Sequence, residues 1–254
     1  MKRKAVLIES SNVSGQKDLP GARVDVANWR NFLTSPLGGA WADNEIVVLH
    51  KPFSSDVEAA VKVDSDCYCF VTFSGHGEDG SVVLNEHRDD FPVSKLRPTG
   101  ERGVVVVDSC RGVSSVRYNF SNKAAALANI AEGTMVTLNA SLGRASQFEQ
   151  AIANRAYVGN QRESTWASGF SSYYKGVVEM LACAKGQGAE EDPTAGGYYT
   201  SLLLASADVW NKTKTGSKIY STKEAHDYAA SLLSPQQTPE YSPTWLAYPF
   251  AVKS

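Results

Sequence analysis

Apolar residues in the first half of the chain fall into short unbroken runs, separated by stretches where they recur every three or four positions. The runs Ala5 to Ile8, Glu45 to Leu49, Cys67 to Phe73 and Val104 to Val107 predict strands, because a strand apolar on every residue is buried on both faces. The spaced stretches Val24 to Leu33 and Asp56 to Val63 predict helices. Strands alternating with helices imply a parallel sheet in an open α/β layer fold, whose chemistry lies beyond the carboxyl ends of the strands.

Between the third and fourth of these strands, Val82 to Leu84 offers a short extra strand and Asp89-Asp90 the start of a short helix. After Cys110 the periodicity loosens. A strand at Thr134 to Leu138 and a helix at Ser146 to Tyr157 are expected there, with an exposed loop at Gly159 to Ser164. Regular structure resumes with a strand at Val177 to Cys183, helices at Tyr199 to Trp210 and Thr222 to Leu233, and a last strand at Trp245 to Phe250. No internal repeat is visible.

The chain has 254 residues, enough for one large domain or two small ones with a core that needs no disulfide or metal. Net charge is −2, so no basic excess is present to hold nucleic acid or an anionic membrane. No apolar run approaches the ~18 residues of a spanning helix. The run after the basic start Met1 to Lys4 is too short for a signal peptide. Cys67, Cys69, Cys110 and Cys183 lack metal-ligand spacing, Cys67-Tyr68-Cys69 being one residue short of a paired motif. A reducing compartment, the cytoplasm, is expected. The acidic residues Glu78, Asp79, Glu86, Asp89 and Asp90 show no regular ligand spacing and read as a solvated surface, so neither metal nor other cofactor is expected.

Two segments just beyond buried strands carry candidate chemistry. In Phe73-Ser74-Gly75-His76-Gly77, flanking glycines free the backbone for a turn and display an imidazole at the sheet edge. In Val107-Asp108-Ser109-Cys110-Arg111-Gly112, a cysteine at a strand end is placed to be a nucleophile, with Arg111, turn N–H groups or a histidine to supply thiolate character. A turn histidine without a role and a buried structural cysteine are the plain alternatives for each segment alone. Together they are stronger, since neighbouring parallel strands bring His76 and Cys110 to one cleft. A Cys–His dyad cleaves peptides through an acyl-enzyme, with the Gly77 and Cys110 N–H groups as natural oxyanion donors.

These segments resemble those of caspase-like cysteine peptidases, nearest to the metacaspases and their short prokaryotic relatives. In that family one strand ends in Ser-Gly-His-Gly, as at Ser74 to Gly77, and a later one in Asp-Ser-Cys, as at Asp108 to Cys110. The continuation Cys110-Arg111-Gly112 is similar to animal caspases, although the His-to-Cys gap, 110 − 76 = 34, is shorter than the roughly 50 of their signature. Leu19 to Val26 resembles the segment opening the family's first helix, Ala182 to Glu190 the start of the small subunit, Gly196 to Leu203 its helix, and Gln237 to Ser242 its final loop.

The resemblance implies a caspase-like sandwich with a central, mostly parallel six-stranded sheet and helices on both faces. It also implies one domain, with 1–112 as a large-subunit-like region, 113–176 as linker and 177–254 as a small-subunit-like region. His76 and Cys110 are the implied dyad. Metacaspases prefer Arg or Lys and use an acidic pocket, whose positions here are Asp25, Ser74 and Asp108, with Ala22 replacing the usual cysteine; helix and turn capping are the plain alternatives for the two aspartates. Caspases proper hold aspartate with arginines, and Leu19 stands where the first of these would lie. Lys185 stands where the family often has Asp, which touches the neighbouring subsites. The linker region Val113 to Gly176 holds six basic residues against three acidic ones, and Arg155 and Arg162, flanking the polar loop, are the expected processing sites. The expected partners are a protein or peptide substrate and an activating protease, with the enzyme acting as a monomer in the cytoplasm, where bacterial relatives serve regulated proteolysis or antiphage defence. The alternative is a catalytically silent interaction module. A ligand-binding domain with a phosphate-cradling loop is disfavoured by the single glycine of Ser10 to Gly15.

Overall fold

The structure, a computed structural model, describes residues 2–112, 175–213, 216–233 and 235–253. The chain begins with β1 (Arg3–Ser10), α1 (Pro20–Thr34), β2 (Ile46–His50), α2 (Ser54–Val61) and β3 (Tyr68–Gly75). A small antiparallel sheet follows, made of β4 (Gly77–Glu78), β5 (Ser81–Val83) and β6 (Asp90–Pro92), before β7 (Arg102–Asp108). The rest comprises β8 (Gly176–Leu181), β9 (Glu191–Asp192), β10 (Gly196–Gly197), α3 (Tyr198–Thr213), β11 (Ile219–Ser221), α4 (Thr222–Leu232), β12 (Glu240–Ser242) and β13 (Pro249–Val252).

The central sheet has six strands in the order β12-β8-β7-β3-β1-β2. Every pair is parallel except β12 with β8. The expected six-stranded, mostly parallel sheet is therefore present. The apolar runs form its centre because each strand serves two cores by strict alternation. Ala5, Leu7, Tyr68, Phe70, Val104 and Val106 face one core with residues of α1, α3 and α4. Val6, Ile8, Cys69, Val71, Val105 and Val107 face the other with residues of α2 and the small sheet.

Alternation also decides what stands at the strand ends. Continuing the series Tyr68, Phe70 and Val104, Val106 by two-residue steps puts Ser74 and Asp108 on the α1/α3 face, and the two are register partners. α1 starts with Pro20 in its first turn, a position whose N–H has no intrahelical partner to lose. α4 starts with a capping box: the Glu224 amide donates to Ser221 Oγ at 3.2 Å and the Ser221 amide to Glu224 Oε2 at 2.9 Å.

Three expectations are corrected. The last strand is Pro249–Val252, not Trp245 to Phe250; it pairs with β11 outside the central sheet, and Trp245 is 67% exposed. The sheet edge is instead β12, three residues of the segment read as a final loop, whose polar side chains carry no apolar run. Asp89-Asp90 opens no helix: Asp89 Oδ2 accepts from the Ser54 amide at 3.0 Å, capping α2, and Asp90 enters β6. The acidic residues around it are dispersed into separate pairs, Glu78 with Arg88, Asp79 with Lys185 and Glu86 with Lys51. The strand at Thr134 to Leu138, the helix at Ser146 to Tyr157 and the loop at Gly159 to Ser164 lie outside the described residues. Among the described residues no helix is long and apolar enough to cross a membrane.

Trp29 on α1 joins these layers, being 1% exposed and packed on Phe70 and Phe250 at ring-centroid distances of 5.3 and 6.0 Å. Trp29→Ala should cost about 3–5 kcal/mol of unfolding free energy, read from denaturant titration.

Candidate active site

His76 sits between Gly75, the last residue of β3, and Gly77, the first of β4. Both glycines are required by close approach. A Cβ on Gly75 would lie 2.5 Å from the Ser10 carbonyl oxygen, and one on Gly77 would lie 2.6 Å from Ser109 Oγ and 2.9 Å from the Cys110 carbonyl oxygen. The second approach holds the His76–Gly77 turn against the segment carrying the cysteine, so the structure brings the two candidate motifs together. His76 Nε2 lies 2.7 Å from the Lys17 carbonyl oxygen. A carbonyl only accepts, so Nε2 carries the hydrogen and the lone pair of the neutral ring is on Nδ1. Burial, with Arg88 adding to it, lowers the imidazole pKa against the opposing effects of the Lys17 carbonyl and Asp18. The ring rests neutral with its basic nitrogen available.

Cys110 follows β7 in a segment clamped to the loop after β8. The Arg111 amide donates to the Gln187 carbonyl at 2.9 Å, the Gly186 amide to the Arg111 carbonyl at 2.8 Å, and Cys183 Sγ to the Ser109 carbonyl at 3.4 Å. Arg111 does not supply thiolate character: its guanidinium points to the Cys183 carbonyl, 3.1 Å away, and to the Glu240 carboxylate on β12. Cys110 Sγ lies 3.6 Å from the Ala189 carbonyl oxygen. Burial pushes the thiol pKa up, and the nearby carboxylates of Asp108 and Glu190 push it further, while the backbone of Ala189 and of Cys110 itself opposes them. At rest this is a neutral thiol beside a neutral imidazole.

Asp25, Ser74 and Asp108 converge as the sequence suggested. Ser74 Oγ donates to Asp25 Oδ2 at 2.5 Å and the Gly197 amide to Asp25 Oδ1 at 2.9 Å. Asp108 Oδ2 accepts from the Thr200 amide at 3.0 Å and from Thr200 Oγ1 at 2.8 Å. Asp25 is fully buried and Asp108 nearly so. A Cβ on Gly197 would collide with Asp108 Oδ2 and come within 3.0 Å of Asp25 Oδ2, so only a glycine fits between the two carboxylates. Burial first, then the charge of Asp108, raises the Asp25 pKa well above the ordinary carboxylate value; burial raises Asp108 to about 6. Each carboxylate also receives hydrogen bonds, but hydrogen bonds from neutral groups do not cancel two like charges. Such a pair is relieved by a shared proton or by a cation.

Sequence reasoning missed four contributors. Lys17 acts through a carbonyl and Gly197 through its amide and the space it leaves, neither of which gives a residue-type signal; Thr200 adds its hydroxyl to its amide, but nothing in the sequence brings it to Asp108. Glu191 on β9 is the fourth: the Gly21 amide donates to its carboxylate, which feels Asp108, while Oε1 is buried with no hydrogen-bond partner in the described residues. The run Glu190-Glu191-Asp192 is visible in the sequence, but nothing there brings it to Asp25. Arg155 and Arg162 lie outside the described residues.

Because Asp108 is held protonated above its ordinary range, its protonated form contributes stability that is present below about pH 4 and lost as pH rises through about 6. Asp108→Asn should remove that loss. Denaturation midpoints of the two proteins should move in favour of the variant between about pH 4 and 7.

The family model of the caspase domain matches residues 2–247. Comparison with curated proteins finds no match. Among solved structures the chain is similar to caspase-1 from Spodoptera frugiperda, with 11% identity and a TM-score of 0.55 over 96% of this chain and 86% of that one, a likeness of fold.

Proposed function

The chain belongs to the caspase-domain family of cysteine peptidases, and from that premise we propose that it is an endopeptidase in which Cys110 and His76 cut proteins after arginine or lysine. The observation that carries the specificity is the buried pair Asp25 and Asp108, held by the neutral donors Ser74, Gly197 and Thr200 and lacking any cation partner among the described residues. A substrate guanidinium or ammonium entering between them replaces the proton that burial imposes, and donates charge-assisted hydrogen bonds to the aspartates as they ionise. Leu19 at the α1 N-cap offers no charge to an acidic side chain. The linker, with Arg155 and Arg162, contains bonds of the kind such an enzyme cuts, which supports regulation by its processing.

In this reading the Cys110 thiol passes its proton to His76 Nδ1 as the sulfur adds to the substrate carbonyl. The Gly77 and Cys110 amides stabilise the oxyanion, and the Lys17 carbonyl keeps the ring oriented while it is positively charged. The imidazolium then protonates the leaving amine. Water, deprotonated by the same nitrogen, releases the acid and restores the thiol.

Cys110→Ala should abolish peptide cleavage with no loss of folding, judged by fluorogenic assay beside circular dichroism; residual cleavage would remove the assignment, and an inactive wild type would favour a silent interaction module. The second expectation concerns charge. Removing one member of a buried, paired charge set costs about 2–5 kcal/mol, so Asp108→Asn should lose well over tenfold in kcat/KM on arginyl peptides. In the wild type that parameter should rise with pH through about 6, as Asp108 ionises to meet the cation. Preference for aspartyl peptides in a substrate library would overturn the specificity.

A further inference from the structure

Glu190, Glu191 and Asp192 are consecutive on the stretch that runs past Cys110 into β9. β9–β10 pairing continues one residue past the ladder, where the Tyr198 amide donates to the Glu190 carbonyl at 2.9 Å. Side chains of an extended segment alternate between its faces. Glu191 is on the face toward Gly21, where a Cβ would lie 2.5 Å from its Oε2, and its charge acts on Asp25 as that of Asp108 acts on it. Glu190 and Asp192 are on the opposite face, where both act on the Tyr198 hydroxyl.

The two carboxylates on that outer face are not equivalent. Asp192 Oδ1 is committed to its own turn, accepting from the Thr194 amide at 2.8 Å, Thr194 Oγ1 at 2.6 Å and the Ala195 amide at 3.0 Å. The Glu190 backbone is equally committed, its amide donating to Gln237 Oε1 at 3.3 Å. Its carboxylate is not. That group is partly buried and has no hydrogen-bond or ion-pair partner among the described residues. It lies close enough to the Cys110 sulfur to oppose its ionisation, and it adjoins Ala189, whose carbonyl faces that sulfur. A partly desolvated carboxylate beside a nucleophile, with no partner of its own, is stabilised by a cation brought to it.

An extended peptide alternates in the same way as the strand. When one side chain descends on the Glu191 side to reach Asp25 and Asp108, the preceding one emerges on the Glu190 side. We propose that Glu190 forms a second cation-recognising subsite, receiving the substrate residue immediately before the one held by Asp25 and Asp108, so that the enzyme selects dibasic sequences. This rests on the acidic-pocket reading above and adds a second position to it.

The test is a peptide series with arginine at the cleaved position and Lys, Arg, Ala, Leu or Glu before it. In the wild type, Lys or Arg should exceed Ala about five- to tenfold in kcat/KM, and Glu should fall below Ala. Glu190→Gln should bring the Lys-to-Ala ratio near one, and Glu190→Lys should invert the order of Lys and Glu. These ratios are taken within one enzyme and do not depend on the fraction folded. A wild type without the preference, or a Glu190→Gln enzyme that keeps it, overturns the subsite. If the wild type cuts after another residue, the Asp25–Asp108 reading fails separately, and the same series on that residue still decides for or against Glu190. No cleavage of any member overturns both.

Discussion

Two carboxylates buried side by side are the constraint to which the surroundings of the cleft conform. Asp25 and Asp108 come from different layers, one from helix α1 and one from the end of β7, and each is almost entirely removed from water. Their neighbours are chosen accordingly. Ser74, the register partner of Asp108, gives a hydroxyl to Asp25. The wall between them is glycine, because any side chain on Gly197 would meet an oxygen. The first turn of α3 presents the Thr200 amide to Asp108, placing the positive end of a helix against a negative group. All of these donors are neutral, so the site holds charge without cancelling it.

The same charge reaches the sulfur. Asp108 is two residues before Cys110, and its carboxylate, with that of Glu190, opposes the thiolate that burial already disfavours. On the other side of the cleft His76 is kept neutral by burial and by Arg88, with its ring direction set by the Lys17 carbonyl. A cation lodged between the aspartates would cancel part of the field acting on Cys110. The carboxylate pair and the cysteine are thus coupled electrostatically along one short stretch of chain, Asp108 to Cys110.

Several parts of this arrangement are legible in the chain itself. Unbroken apolar runs located β1, β3 and β7, because a central parallel strand has no polar face to interrupt the pattern. The strand-end motifs located His76, Cys110, Ser74 and Asp108, since glycines beside a histidine and a lone cysteine after a valine run are visible without a fold. Among short elements, the apolar Val82-Val83 of β5 was legible, and the polar ones were not. β12 is polar along its length and owes its place to pairing with β8, and the segment from Trp245 looks like a strand but buries Leu246 and Tyr248 without pairing until Pro249, leaving Trp245 itself exposed. Asp89-Asp90 carries a helix-start signal that the structure spends on the start of a different helix, α2, where Asp89 caps Ser54.

By itself, then, the sequence determined the layer fold, the strands at its centre and the identities of the residues at their ends, because side-chain chemistry and local periodicity are properties of consecutive residues. Only the tertiary structure decided that Glu191 stands over the aspartates while Glu190 faces away from them. It alone turned Arg111 toward Glu240 instead of the thiol, gave the His76 ring a backbone carbonyl as its partner, and put glycine where two carboxylates leave no room. Those outcomes rest on backbone groups, on burial and on which residue a strand end meets across the sheet, and each depends on segments far apart in the chain.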